Sequence, residues 1–300
     1  MKILLLGPNG QIGWELQRSL APLGEVLALD RQGGDGLCGD LSRPEELAKT
    51  VGVLSPGIIV NAAAYTAVDK AEAERELART VNARAPAILA EQARETGALL
   101  VHYSTDYVFD GTGEAARSED DPAAPVNAYG LTKWEGEQAV RESGCRHLIF
   151  RTSWVYAARG QNFIRSILRL AGERESLRIV NDQVGAPTGA ELIADITAAS
   201  LLHLRHRPDE TGTYHLAAKG ETSWYEYARF IAHQARLAGY SMSMFEDAIA
   251  PIPTEDFPTP AARPRNSRLN CGKLECTFGL SLPDWRAGVA RAVTELTIAK

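Results

Sequence analysis

Cysteine is scarce in this chain of 300 residues. The four present, Cys38, Cys145, Cys271 and Cys276, form no C-x-x-C pair, which argues against the common zinc spacings and against a disulfide framework. They read as reduced thiols of a reducing compartment. Long apolar runs are missing too: no stretch approaches the ~18 residues of a membrane span. Met1-Lys2 is followed by only four apolar residues before Gly7, which is short for a signal-peptide core. The cytoplasm is the expected location, and no membrane partner is expected. Positive charge is in deficit, with 32 Lys and Arg against 38 Asp and Glu and a net charge of -6. Nucleic acid, which calls for a basic field, is therefore not an expected partner. An anionic ligand would have to be held by local Arg, Lys or backbone N–H groups. The sequence shows no internal repeat and no low-complexity tract.

What the chain does have is 45% hydrophobic and 23% charged residues, ordinary for a globular protein with a sizeable core. Its first half alternates short apolar runs with amphipathic stretches, the pattern of a parallel α/β sheet covered on both faces. Strands are predicted at 3–6, 25–29, 57–61, 99–103 and 147–151. Helices are predicted at 11–20, over 69–96, within 125–140, and from Ser42-Arg43-Pro44-Glu45, which has capping-box spacing and Pro in the first turn. After Trp154 the rhythm changes. Helices follow at 162–171, near 190–203, from Trp224 behind a Thr222/Ser223 cap, and at 285–296, with short strands at 178–180 and 213–217. Trp224, Tyr225 and Tyr227 read as a helix packing on its own domain. The proline-rich stretch 251–264 reads as an irregular lid or binding loop. The expected architecture is α/β: a Rossmann-type doubly wound parallel sheet over 1–155 with a returning segment near 185–203, and a smaller, interleaved C-terminal substrate domain over 156–300.

Gly7-Pro8-Asn9-Gly10-Gln11-Ile12-Gly13 spells G-x-x-G-x-x-G directly after the first strand and opens a helix. The glycines permit a tight turn, close approach to a pyrophosphate and close strand–helix packing. The helix start adds N–H groups and a positive dipole end. The bland alternative is a plain glycine turn; its place in the first strand–helix unit favours a dinucleotide. Asp30 closes the second strand about 20 residues on, where an acid binds the adenosine ribose. Arg31, the next residue, suits a 2′-phosphate, so NADH and NADPH both stay open. Asp40 and Leu41 are placed to touch the adenine. The small residues after Asn61, among them Ala63 and Ala64, let a cofactor lie against the backbone.

Tyr129-Gly130-Leu131-Thr132-Lys133 sets a phenol and an ammonium at i and i+4, on one helix face. A nearby ammonium favours the phenolate and lowers a phenol's pKa, which suits Tyr129 to proton transfer. Lys133 can also hydrogen-bond a nicotinamide ribose. Thr105, just beyond a predicted strand, can hydrogen-bond a substrate carbonyl.

This arrangement is that of the extended short-chain dehydrogenase/reductase superfamily, and a closer likeness runs over nearly the whole chain. Ser104-Thr105-Asp106-Tyr107-Val108-Phe109-Asp110-Gly111, Phe150-Arg151-Thr152-Ser153-Trp154-Val155-Tyr156, Asn181-Asp182-Gln183-Val184-Gly185-Ala186-Pro187-Thr188 and Arg263-Pro264-Arg265-Asn266-Ser267 resemble dTDP-4-dehydrorhamnose reductases. The resemblance implies reduction of dTDP-4-dehydro-β-L-rhamnose to dTDP-L-rhamnose by NADH or NADPH. It implies Tyr129 as proton donor, Thr105 and Asp106 at the sugar, and Trp154 packed against it. It implies a dinucleotide lined by Gly10, Gln11, Ile12, Asp30, Asp40, Leu41, Ala64, Tyr65, Thr66, Tyr103, Tyr129 and Lys133. It also implies a homodimer with Mg²⁺ at its interface, held by Glu15, Glu191 and Glu295; taken alone, these three are ordinary helix-surface carboxylates. Arg263, Arg265 and Arg268 are a basic cluster in an acidic chain. Arg suits bidentate phosphate contact, so Arg263 is a candidate for the substrate diphosphate, with a solvated loop as the alternative.

Three rivals share this fold. Dehydratases of the superfamily follow the Thr with Asp-Glu, whereas here Tyr107 follows Asp106, and a phenol is a poor replacement for that carboxylate. Epimerases use the same Thr, Tyr and Lys and are separated by how tightly they retain cofactor. A non-catalytic regulatory subunit is opposed by the intact Thr105, Tyr129 and Lys133.

Overall fold

The computed structural model describes residues 1–298. The first half runs β1 (Lys2–Leu6), α1 (Gln11–Leu20), β2 (Glu25–Leu29), α2 (Pro44–Leu54), β3 (Ile58–Asn61), α3 (Val68–Ala71), α4 (Arg75–Arg79), α5 (Ala85–Thr96), β4 (Leu99–Thr105), α6 (Ala128–Glu142) and β5 (His147–Thr152). The second half runs β6 (Val155–Tyr156), α7 (Phe163–Glu173), β7 (Leu177–Val180), β8 (Val184–Gly185), β9 (Thr188–Gly189), α8 (Ala190–His203), β10 (Gly212–His215), β11 (Thr222–Ser223), α9 (Trp224–Leu237), β12 (Ile249–Ile252), α10 (Gly272–Phe278) and α11 (Trp285–Ile298).

Six strands form one parallel sheet in the order β10-β5-β4-β3-β1-β2. Their apolar runs follow from burial on both faces. Successive side chains of a strand point to opposite faces. Ile3 and Leu5 of β1 meet Leu16 and Leu20 of α1 and Ile193 of α8 on one face. Leu4 and Leu6 meet Leu47 and Val51 of α2 and Leu89 of α5 on the other. Each fully buried Leu or Ile contributes about 1.5–3 kcal/mol relative to exposure. Strand order reverses between β1 and β3, and in open α/β sheets ligands bind beyond the strand ends at such a point.

A second core gathers Ile164 and Ile167 of α7, Tyr227 and Ile231 of α9, Ile249 of β12, and Trp285 and Val289 of α11. The chain does not stay there once it has arrived. Between its visits it sends α8 and α10 to the first core, through Ile193, Leu201, Leu274 and Phe278, and β10 to the sheet edge beside β5.

Three local expectations need correction. Arg43, not Ser42, is the N-cap of α2; the Ser42 backbone N–H is held by Asp40 Oδ1 at 2.9 Å, so the capping box does not form. The stretch 69–96 is not one helix but α3, α4, a π-helical turn (Thr80–Arg84) and α5. Asn82 in that turn holds the loop after β3: its Oδ1 accepts the Tyr65 N–H at 2.8 Å, and its Nδ2 donates to the Tyr65 carbonyl at 3.1 Å. Finally, the proline-rich stretch begins in a strand, with Ile249–Ile252 parallel to β7.

Candidate active site

The turn between β1 and α1 is built for close approach. Gly7 has φ +80°, and its N–H donates to the Leu29 carbonyl at 3.1 Å. A Cβ on Gly13 would lie 2.0 Å from the Gly7 carbonyl oxygen, so the helix is seated on the turn only because Gly13 has none. Gly10 is the N-cap of α1 and brings no side chain to cover its first N–H groups, which suits an anion there. Asp30, just past β2, accepts from Asn9 Nδ2 and from the Gln32 N–H, both at 2.9 Å. Arg31 is exposed, with Nε 3.8 Å from Asp40 Oδ1.

A cavity of about 870 Å³ runs from Asp30, Arg31, Asp40 and Leu41, past Gly7, Gly10, Gln11, Ile12, Ala63, Ala64 and Thr66, to Tyr103, Thr105, Asp106, Tyr129, Lys133 and Trp154. It brings together most of the residues expected at a dinucleotide and its substrate. Gly13 acts from beneath the turn. Tyr65 does not line the cavity; its hydroxyl donates to Glu74 at 2.7 Å, and its backbone is what Asn82 fixes. Arg263 is paired with Asp69 at 2.8 Å. The cavity also takes in residues the sequence reading left out, among them Asn9, Ser104, Tyr107, Thr152 and Trp224. Ser104 Oγ, Asp106 Oδ2 and Thr152 Oγ1 are buried without a hydrogen-bond partner among the described residues. An unpaired buried polar atom costs about 1–3 kcal/mol, so a polar ligand that pairs them fits this wall.

Tyr129 and Lys133 lie one turn apart on α6, whose N-cap Asn127 accepts the Gly130 N–H at 2.8 Å and donates to the Ala262 carbonyl at 2.8 Å. Lys133, 2% exposed, donates to the Tyr103 carbonyl at 2.6 Å and lies 3.2 Å from His102 Nε2. Burial pulls its pKa down to about 8, against the pull of Glu137. Burial pushes the Tyr129 phenol up to about 12, with Thr105 lowering it and Asp106 raising it. This corrects the expected tuning: the ammonium is spent on the end of β4, and the phenol stands above its ordinary value. The Thr105 hydroxyl donates to Asp106 Oδ1 at 3.1 Å rather than standing free. Burial holds the Asp106 carboxyl up at about 6, while Ser267 and Thr105 favour its charged form.

Trp154 has φ +48°, a costly conformation for a bulky residue. Its ring stacks on Trp224, centroids 3.7 Å apart and planes 12° from parallel. Trp224 therefore helps wall the cavity besides packing its own helix. Nothing local announced this, because the two rings are 70 positions apart in the sequence.

The expected magnesium ligands do not form a metal site within the chain. Among the described residues, no group of three or more His, Cys, Asp or Glu is arranged to hold a metal ion. The Arg291 guanidinium lies 3.4 Å from Glu191 and 3.0 Å from Glu295, and Glu15 is 3.6 Å from Arg18. Among the described residues, no helix is long and apolar enough to cross a membrane.

A parallel sheet with a glycine turn at its switch point, a Thr at the end of β4 and a Tyr–Lys pair on the helix that follows defines an oxidoreductase of the extended short-chain dehydrogenase/reductase kind. The family model described as "RmlD substrate binding domain" matches residues 1–298. A dTDP-4-dehydrorhamnose reductase of Escherichia coli strain K12 is 53% identical, over 99% of this chain and 98% of that protein. The crystal structure of a Bacillus anthracis dTDP-4-dehydrorhamnose reductase in complex with NADP has a TM-score of 0.85 and 35% identity, covering 97% of each chain. One from Clostridium acetobutylicum has a TM-score of 0.87 and 36% identity, covering 98% of each chain. The chain belongs to the dTDP-4-dehydrorhamnose reductase family.

Proposed function

We propose that this chain reduces the C4 keto group of dTDP-4-dehydro-β-L-rhamnose to give dTDP-L-rhamnose, with NADH or NADPH as reductant. The observation that carries this reading is that Thr105, Tyr129 and Lys133 meet at one end of a cavity whose other end holds the phosphate turn and Asp30. A reduced nicotinamide, when bound, supplies the hydride. Tyr129 gives its phenolic proton to the C4 oxygen as charge develops there. Lys133 and Tyr103 would face the nicotinamide ribose, and the turn at Gly10 would bring the backbone N–H groups of Gln11 and Ile12 to the pyrophosphate. Asp106 and Trp154 hold the sugar, and Arg263 is the arginine we assign to the substrate diphosphate. In this division of labour the sheet unit holds the cofactor and the unit around Tyr227 closes over the sugar.

Incubating the purified chain with dTDP-4-dehydrorhamnose and NADPH tests this. Reduced cofactor should be consumed in proportion to dTDP-rhamnose formed. An epimerase would keep its cofactor and consume none, and that outcome refutes the proposal. We also propose a homodimer, whose test is light scattering; a monomer at assay concentration counts against it.

A further inference from the structure

His102 has no part in the reaction proposed above, yet it is buried, with 1% of the residue exposed. It lies on β4 opposite Asn61 of β3. Both ring nitrogens have a neighbour: Nδ1 is 3.2 Å from Asn61 Nδ2, and Nε2 is 3.2 Å from Lys133 Nζ. Burial drives the imidazole pKa well down, and Lys133 and His147 add to it, so the ring is neutral. A neutral imidazole has one N–H and one lone pair. Which nitrogen holds the proton follows from what faces the other.

The Asn61 amide makes that choice. Its Oδ1 accepts the Ala63 N–H at 3.3 Å, so its Nδ2, a donor, is the end turned to the ring. Nδ1 must then accept, and the proton sits on Nε2, aimed at Lys133. An ammonium has three donors and no lone pair, so it meets the Nε2–H donor to donor. An amine has a lone pair to receive it. With an amine the donors run one way without a break: Ala63 to Asn61, Asn61 to His102, His102 to Lys133, and Lys133 to the Tyr103 carbonyl at 2.6 Å. Turning the amide over only moves the conflict, because its NH₂ then faces the Ala63 N–H.

We propose that His102 is a positioning residue that gives its Nε2–H to Lys133 and so favours the amine over the ammonium. Lys133 then donates one N–H to Tyr103 and keeps the other for the nicotinamide ribose. That last step rests on the functional reading above; the direction of the hydrogen bonds does not. The remaining neighbours leave room for this. Burial of Lys133 acts in the same direction as His102. Glu137, one turn further along α6, pulls towards the ammonium, but its carboxylate is shared with the Arg151 guanidinium at 2.7 Å. Tyr129, one turn back, is uncharged below its raised value of about 12.

The test reads the cofactor-free chain by NMR. Imidazole nitrogen shifts, assigned to His102 as the ring lost in His102→Gln, should show a neutral Nε2–H tautomer from about pH 6 to about pH 9. An Nδ1–H tautomer or an imidazolium in that range overturns the proposal. The titration of Lys133, followed at the ε-carbon signal lost in Lys133→Met, gives the sign. His102→Phe removes an N–H that supports the amine, so the midpoint should rise by about half to one pH unit. Had the ring accepted from the ammonium, the midpoint would fall; a fall or no change overturns the proposal. If His102→Phe fails to fold, Asn61→Asp decides. A carboxylate there accepts from Nδ1, so the ring should change tautomer and the Lys133 midpoint should rise by about one unit or more; a ring that keeps its Nε2–H overturns the proposal. If the wild type reduces no 4-keto sugar nucleotide with NADPH, the functional reading fails, while the tautomer and the Lys133 titration still decide the role of His102.

Discussion

Tyr129 is half-buried in the cavity wall, with its ionisation pushed up to about 12, the state of a group that gives a proton rather than takes one. Tyr129→Phe removes only the hydroxyl and leaves the ring packed edge-on against Tyr107. We expect kcat to fall by about 10²–10⁴-fold, the usual size of a general-acid contribution, with the melting temperature little changed. Turnover near that of the wild type would remove Tyr129 from the chemistry. Lys133 carries the opposite burden. Its folded value of about 8 lies below the ordinary 10.5, so the folded chain sheds this proton before the unfolded chain does. Below about pH 8 the full cost of burying the ammonium stands, and between 8 and 10.5 Lys133 adds stability as pH rises. Lys133→Met should therefore abolish turnover yet stabilise the cofactor-free protein by about 1–3 kcal/mol at neutral pH. Denaturant unfolding at two pH values checks this; a variant less stable than the wild type would show that the bonds to Tyr103 and His102 outweigh the burial cost.

At the scale of elements, the site depends on where helices begin. The start of α6 is set by Asn127, which caps Gly130 and ties the helix to the proline-rich segment through the Ala262 carbonyl. Glu72 Oε1 accepts the next N–H, of Ala128, at 2.7 Å. Tyr129 is two residues inside this cap, so the cap aims the phenol. Asn127→Ala should cost about 0.5–2 kcal/mol of stability and lower kcat more than it raises KM, read from melting and steady-state kinetics. A full loss of stability with kcat intact would separate the cap from the chemistry. Helix α1 begins the opposite way, with no side chain at Gly10, which leaves its first N–H groups for a ligand. Cofactor choice belongs here too. Asp30 at the end of β2 favours the ribose hydroxyls and Arg31 beside it favours a 2′-phosphate, so KM for NADH and NADPH should agree within about tenfold, or roughly 1.4 kcal/mol. Arg31→Ala should raise KM for NADPH alone; a thousandfold wild-type preference for either nucleotide would show that one of the two side chains never reaches the ribose.

At the scale of the molecule, the cavity lies across the carboxyl ends of the sheet strands and ends against the Trp154–Trp224 stack, where the second core begins. A ligand that fills it should stiffen both units at once. At a hundredfold excess over Kd, NADPH should add about 2.7 kcal/mol to the stability of the folded chain, seen as a single shifted melting transition. Two transitions, with only one displaced, would show that the units unfold separately. Much of this was legible in the sequence, for physical reasons. The parallel sheet was readable because strands buried on both faces have to be apolar throughout. The phosphate turn was readable because only glycine tolerates both the φ of Gly7 and the 2.0 Å approach at Gly13. Tyr129 and Lys133 were readable because i and i+4 share a helix face. These are local constraints, and the chain wrote them locally. Other features depended on contacts distant in sequence. Lys133 turns to Tyr103 and His102 rather than to Tyr129, Trp224 closes on Trp154, and Arg291 lies 3.4 Å from Glu191. Each was decided by which groups the packed layers bring within about 3–4 Å, where a buried donor must find an acceptor, and no spacing along the chain encodes that choice.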